Sequence, residues 1–433
     1  MATTKITTEV TDLNAASSTS GLKMPTGGAY SGTPTQGMMR NDTAESSQGS
    51  ASTMQHYNGT AWKNFENVAP TPTPPPVATD YFDIATYSGN GSTKSVTTSS
   101  GSFTPDLAWV KDRDNTNPHE IADSARGANS TINSNATNAE YVNSTYQFNS
   151  FNSGGFTVTD DAAGNYAVNG SGINYVGWCW KAGASTSGSG VYYTNVTQRV
   201  NSSNGFSIVD FTMPVGSVPS NASYNHGLSQ APELVITKPY NGQYGTTGWY
   251  TYSSALGTTK YLSLHDTATA VTFSAFPTVD STKVGYYFAS NTSTASDVVT
   301  YNFHSVDSVQ RIGSYTSLSG SSVQVYTDSN GDGTGTGAFQ PRFVMLKLAV
   351  GGASAYTGWV MFDSSRDPNT TNDNPLYANK SQQEGLRGNG TGSAANVVDI
   401  QFNSSGFLVD PVPNNDGETN EGGGSTYIYL AIA

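Results

Sequence analysis

Apolar residues in this chain come in short runs separated by Gly, Ser, Thr and Asn, and no long segment repeats them at helical spacing. FDIATY (82–87), FSIVDF (206–211) and RIGSY (311–315) each read as a short strand ending on an aromatic residue. YVGWCWK (175–181), VVTYNFHSV (298–306) and YIYLAIA (427–433) read as longer, aromatic-rich strands. Many short strands joined by polar turns predict an all-β fold.

One frame occurs three times, as PDLAWVK (105–111), PELVITK (232–238) and PRFVMLK (341–347). Proline cannot donate to a ladder, so it is expected at the first residue of a strand. The positions after it are apolar on both parities, which predicts a strand buried on both faces or central in a sandwich. The lysine is expected to end that strand at its solvent edge. The flanking pieces repeat as well. IADSAR (121–126) parallels MFDSSR (361–366), FNSGGFTV (151–158) parallels FNSSGFLV (402–409), and a Gly-Trp pair occurs at 248–249 and 358–359.

These repeats predict three tandem β-sandwich modules over 80–184, 204–309 and 310–433, with 185–203 as a linker. Before them, residues 1–68 are polar and read as a small anchoring segment. That segment ends in HYNGTAWKNF, where Tyr57 and Trp62 flank an Asn58-Gly59 turn and predict a hairpin. APTPTPPPVAT (69–79) is an extended, semi-rigid proline spacer.

Charge narrows the function classes. Lys and Arg number 19 against 32 Asp and Glu, a formal net charge of −13. A nucleic-acid partner needs a basic footprint, and this balance opposes one; a neutral, hydroxyl-rich partner such as a glycan is permitted. Aromatic residues reach 11%, which argues for a packed chain. The N-terminus MATTKITTEV has no apolar signal-peptide core, and no stretch approaches the length of a membrane-inserting helix. Cys179, between two tryptophans, is expected to be a buried core residue, since no second cysteine exists to pair with it.

Candidate chemistry is sparse. Asp328, Asn330 and Asp332 at alternate positions, with Gly333 following, match the start of an oxygen-rich calcium loop. The twelfth position of an EF-hand loop would be Glu and is Phe339 here, so an Asx-capped polar turn competes with a Ca2+ site; no other cofactor is expected. The five histidines have no metal spacing. Asp123 and Asp363 recur, each with an arginine three residues on, and read as strand-end ion pairs or caps rather than as the paired carboxylates of a glycosidase. The reading is therefore non-enzymatic, with a glycan depolymerase as the enzymatic alternative. For ligand binding, aromatic faces beside amides suit sugars. Tyr240, Asn241, Tyr244 and Trp249 in YNGQYGTTGWY, and Tyr356 and Trp359 in ASAYTGW, are the candidates, with Tyr240 and Tyr244 expected to be the exposed ones and the tryptophans core.

YVGWCWKAG (175–183), YNFHSVDSVQRIGSY (301–315), DSSR (363–366), FNSSGF (402–407) and the terminal YIYLAIA together resemble the repeated module of tail-fibre and related virion proteins of marine bacteriophages, notably those infecting cyanobacteria. GTPTQGMMRNDTAESS and MQHYNGTAWKNF, within 32–65, resemble a segment near the start of such proteins. The resemblance implies lectin-like, jelly-roll sandwiches in a virion structural protein made in the host cytoplasm. It implies a tail fibre that binds a host-surface glycan, or else a capsid-decorating or head-fibre protein. Residues 1–68 would contact other virion proteins, and the chain would form a homo-oligomer, most simply a trimer.

Overall fold

The structure is a computed structural model that describes residues 39–42, 53–57, 62–64, 80–142, 147–160, 168–287, 291–352, 357–367, 371–372, 374–386, 400–411, 418–420 and 422–433. The fold is all-β: the described residues contain antiparallel sheets and no α-helix. The chain divides into two units, Met1–Thr73 and Pro74–Ala433. In the first, Met39–Asp42, Thr53–Tyr57 and Trp62–Asn64 form a three-stranded antiparallel sheet. Tyr57 pairs with Trp62 in antiparallel strands, as a hairpin requires, and the expected Asn58-Gly59 turn lies outside the described residues. The proline spacer also lies outside it.

In the second unit one strand order recurs. The opening strands are Phe82–Ser88, Phe206–Met213 and Gln310–Thr316. Each pairs with a closing strand, Asn174–Trp180, Ser296–Phe303 or Thr426–Ile432. The closing strand pairs with the frame strand, Leu107–Asp112, Leu234–Pro239 or Phe343–Val350. The frame strand pairs with a partner strand, Glu120–Asp123, Tyr250–Ser253 or Trp359–Asp363. First and last strands of a module are thus neighbours in its sheet. We call these three sets modules 1, 2 and 3.

Residues 185–203, expected as a linker, hold strands of module 2. Ser185–Ser187 pairs with Thr194–Asn201, which pairs with the opening strand, and Gly190–Val191 pairs with Ser223–Asn225.

Strand alternation explains why the frame is apolar on both parities. Leu107 and Trp109, Leu234 and Ile236, and Phe343 and Met345 point from their three sheets into one shared core. Trp178, Tyr301 and Leu430 of the closing strands join them there. The intervening residues, such as Ala108 and Val110, Val235, and Val344 and Leu346, face the small sheet of their own module. Each large sheet is therefore buried on one side against residues of its own module and on the other against the two neighbouring modules. Where the frame strands meet, Trp109, Ile236 and Met345 line a void of about 20 Å³ with no polar wall. That leaves room for a single water with nothing to bond to, so the void is dry.

The small sheets of modules 1 and 3 also match. Lys94–Thr97, Gly155–Thr159 and Gln147–Asn152 pair in the same order as Val323–Tyr326, Gly406–Val409 and Ile400–Asn403. The repeated FNSxGF piece is a hairpin, with Asn152 opposite Gly155 and Asn403 opposite Gly406. The second glycine has a steric reason. A Cβ on Gly155 would lie 2.0 Å from the Val96 carbonyl oxygen, and one on Gly406 would lie 2.1 Å from that of Val325.

Candidate functional site

The recurring polar residues converge on the junctions between modules. The eighth residue after each frame proline is Arg113, Tyr240 or Ala349. Each offers its carbonyl to a backbone N–H of the preceding module in cyclic order. Glu140 donates to Tyr240 at 2.8 Å, Ala270 to Ala349 at 2.9 Å and Glu384 to Arg113 at 2.9 Å. The residue before each partner-strand position opposite Val110, Thr237 and Leu346 is His119, Trp249 or Trp359. Its ring nitrogen reaches a neighbouring module's carbonyl: His119 Nε2 to Tyr377 at 2.9 Å, Trp249 Nε1 to Asn133 at 3.0 Å, Trp359 Nε1 to Ser263 at 2.9 Å. His119 Nδ1 accepts from Trp109 Nε1, so Nε2 carries the proton and donates. Burial holds this imidazole neutral, well below its ordinary pKa. Module 1 contacts module 3, module 3 contacts module 2 and module 2 contacts module 1, so the cycle closes within one chain.

The Asp-Ser-x-Arg motifs sit at two of these junctions. Asp123 Oδ1 caps the backbone N–H groups of Ala125 and Arg126, and its Oδ2 accepts from Arg126 Nε at 2.7 Å. Asp363 does the same for Ser365 and Arg366, with 2.6 Å to Arg366 Nε. The same carboxylates reach the next module. Tyr301 OH donates to Asp123 at 2.8 Å, and Trp178 Nε1 to Asp363 at 3.0 Å. At the third junction the matching positions are Leu430 and Ser253, so the polar donor and the acidic acceptor are absent together. Arg366 continues to Glu384 at 2.7 Å, and Glu384 continues to Arg113 at 2.7 Å. Arg126 has a weaker counterpart in Glu140 at 3.6 Å.

The frame lysines correct the sequence reading: Lys111, Lys238 and Lys347 are fully buried rather than at a solvent edge. Burial is possible because carbonyl oxygens surround each Nζ. Lys238 donates to Pro239, Gly245 and Thr247 at 2.7–2.9 Å and to Thr137 of module 1 at 3.3 Å. Lys347 donates to Thr357 and to Thr267 of module 2, both at 2.9 Å. Lys111 donates to Asp112 and to Asn115 of its own module. Desolvation lowers Lys238 and Lys347 to about 7 and Lys111 to about 8.

The expected ligand-binding aromatics are placed differently from their sequence reading. Tyr240 and Tyr244, expected to be exposed, are each 7% exposed. Tyr240 lies under the Arg126 guanidinium, 5.5 Å from ring centroid to Cζ, and Tyr244 ends a 3-10 turn packed in the module 2 core. Asn241 is held on both sides of its amide by Asp297. Trp249 and Trp359 are core, as their environment suggested, but donate across junctions. Tyr356 lies outside the described residues. The loop 240–250 looks solvent-facing because its aromatics alternate with Asn, Gly and Gln, and nothing local in the sequence indicates that Tyr240 meets module 1 while Tyr244 turns into the core of module 2.

The DSNGDG loop turns its oxygens onto its own backbone. Asp328, itself buried, accepts from the N–H groups of Gly333 and Gly335. Asp332 accepts from Thr334 N at 2.9 Å and Oγ1 at 2.6 Å, and Asn330 Nδ2 donates to Thr334 Oγ1 at 3.0 Å. This is the geometry of an Asx-capped turn. Cys179 is fully buried, and desolvation raises its thiol well above the ordinary range.

The model of one protein family, described as a domain of unknown function (DUF7483), matches residues 77–433. The chain belongs to that family. The matched span begins in the proline spacer and runs through all three modules, so the family unit is the whole closed set and not a single sandwich. No curated protein and no solved structure matches the chain.

Proposed function

We propose that this chain is a non-enzymatic structural protein of a bacteriophage particle, an appendage that attaches the particle to its host. The observation carrying this reading is the fate of the repeated polar residues. Asp123, Asp363, Arg126, Arg366, Glu384, His119 and the frame lysines are all committed to holding one module to itself or to the next. A repeat whose ionisable groups are committed to assembly suits a rigid building block better than a catalyst, whose acid and base must face substrate. The resemblance to tail-fibre modules supports the same class. In this reading residues 1–68 bind other virion proteins, and loops of the body meet the host.

Two measurements on particles test it. Gold-labelled antibody against the chain should decorate tail appendages, and added purified chain should slow particle adsorption in a dose-dependent way. Label confined to the head, with adsorption unaffected, would favour a capsid-decorating protein instead. Release of new reducing ends from host surface polysaccharide by the purified chain would overturn the non-enzymatic assignment.

A further inference from the structure

A pocket on module 1 of about 150 Å³ is lined by Glu120, Asn133, Asn138, Glu140, Tyr141 and Gln147. We propose that it binds a neutral, hydroxyl-rich ligand, a single sugar unit of a larger glycan. This rests on the attachment reading for its biological role, but the binding itself is a property of the purified chain.

The walls are preformed. Asn133 is fixed by its Nδ2 bonds to the His119 carbonyl at 2.8 Å and to Glu120 Oε1 at 2.9 Å, and by the Trp249 indole on its carbonyl. The loop that carries Asn138 is tied to module 2 at both ends, by Lys238 on the Thr137 carbonyl and by Glu140 N–H on Tyr240. Junction contacts therefore hold the pocket open in one geometry, which lowers the ordering cost of binding.

Gln147 points to a ligand. It is 3% exposed, and its carboxamide oxygen accepts from Thr131 Oγ1 at 2.7 Å. Its Nε2 has no hydrogen-bond partner among the described residues. An amide donor with no protein partner at a pocket wall is a hydrogen bond that a ligand oxygen would make in place of water. The same residue has a φ of 74°, a left-handed backbone that strains a non-glycine residue, and such strain gathers at binding sites.

The chemistry of the lining selects the ligand class. Gln147 and Asn138 present N–H donors, and the Asn138 side chain has no partner of its own among the described residues. Glu140 and the Asn138 carbonyl present acceptors. A ligand meeting both kinds of group must donate and accept from the same atoms, as sugar hydroxyls do. An ammonium ligand only donates and would leave the amide N–H groups unmet. The Glu140 charge is already opposed by Arg126 at 3.6 Å. Tyr141 stands at the rim of the pocket, 48% exposed, where a bound sugar ring would pass.

The test uses the purified full chain with four neutral probes: methyl glucoside, methyl galactoside, methyl mannoside and N-acetylglucosamine. Choline serves as a cationic probe of similar size. At least one sugar should show saturation transfer by NMR and titrate at roughly millimolar strength, useful through many copies on a particle. Tyr141→Ala and Asn138→Ala should each weaken that sugar about two- to tenfold, with an unchanged thermal midpoint. The proposal is overturned if none of the sugars binds, if binding survives in the double variant, or if choline binds more tightly than every sugar. Failure here leaves the adsorption experiment untouched, so the two readings fall separately.

Discussion

At the residue scale, buried charge governs the junctions. Arg366 neutralises Asp363 inside the protein and stacks 5.7 Å from the Trp178 ring. Replacing it with Met leaves a buried carboxylate with its cap bonds and no cation. The Arg366→Met chain should lose about 3–5 kcal/mol in urea unfolding. A loss within experimental error would contradict a stabilising role for the Arg366–Asp363 pair. The lysines give a pH signature. Lys238 and Lys347 release their protons near 7 when folded, while the unfolded chain keeps them to about 10.5. Through that window the unfolded state binds more protons, so these lysines make stability rise with pH, an effect complete above the window and absent below it. Urea midpoints measured at about pH 7.5 and about pH 9.5 should therefore rise less in Lys347→Met than in the parent chain. An equal rise in both would assign the titration elsewhere.

At the element scale, close backbone approach decides. Gly155→Ala and Gly406→Ala each drive a Cβ into a neighbouring strand's carbonyl, so each should cost about 1–3 kcal/mol by thermal unfolding, well beyond a surface Gly→Ala change. Unchanged midpoints would show that the small sheets yield without penalty. Strand identity was legible here from local pattern. The frame proline, the apolar run on both parities and the FNSxGF hairpin all follow from backbone geometry within a few residues. What the second apolar face packs against was not legible. Pattern showed that Trp109, Ile236 and Met345 are buried, and nothing in it showed that they bury against one another. The errors at the candidate site share that cause. Tyr240 looks solvent-facing because a single sandwich would leave it so, whereas the frame lysines look so because local pattern does not show the carbonyls, in their own module and across junctions, that receive them. Residues 185–203 look like a linker because polar edge strands and loops share a composition. The pocket around Gln147 left no local signal, since its lining comes from separate stretches of chain between 120 and 147.

At the scale of the whole molecule, three copies of one module close on themselves inside a single chain, and each supplies the apolar and polar surface its neighbours need. A module cut out alone would expose Phe82, Trp109, Trp178 and Trp180 together. The segment 80–184 should therefore fail to fold as a soluble monomer. Self-association of the full chain, expected from the virion resemblance, would have to use other surfaces than these buried faces, so light scattering on residues 80–433 should report a monomer. Larger species would place an oligomer contact on the body itself. The most direct test of the closed arrangement is scanning calorimetry of residues 80–433. Modules that share one core and three sets of junction bonds must unfold together, so the account predicts a single transition with equal calorimetric and van't Hoff enthalpies. Two or three separable transitions, each with the enthalpy of one sandwich, would contradict it.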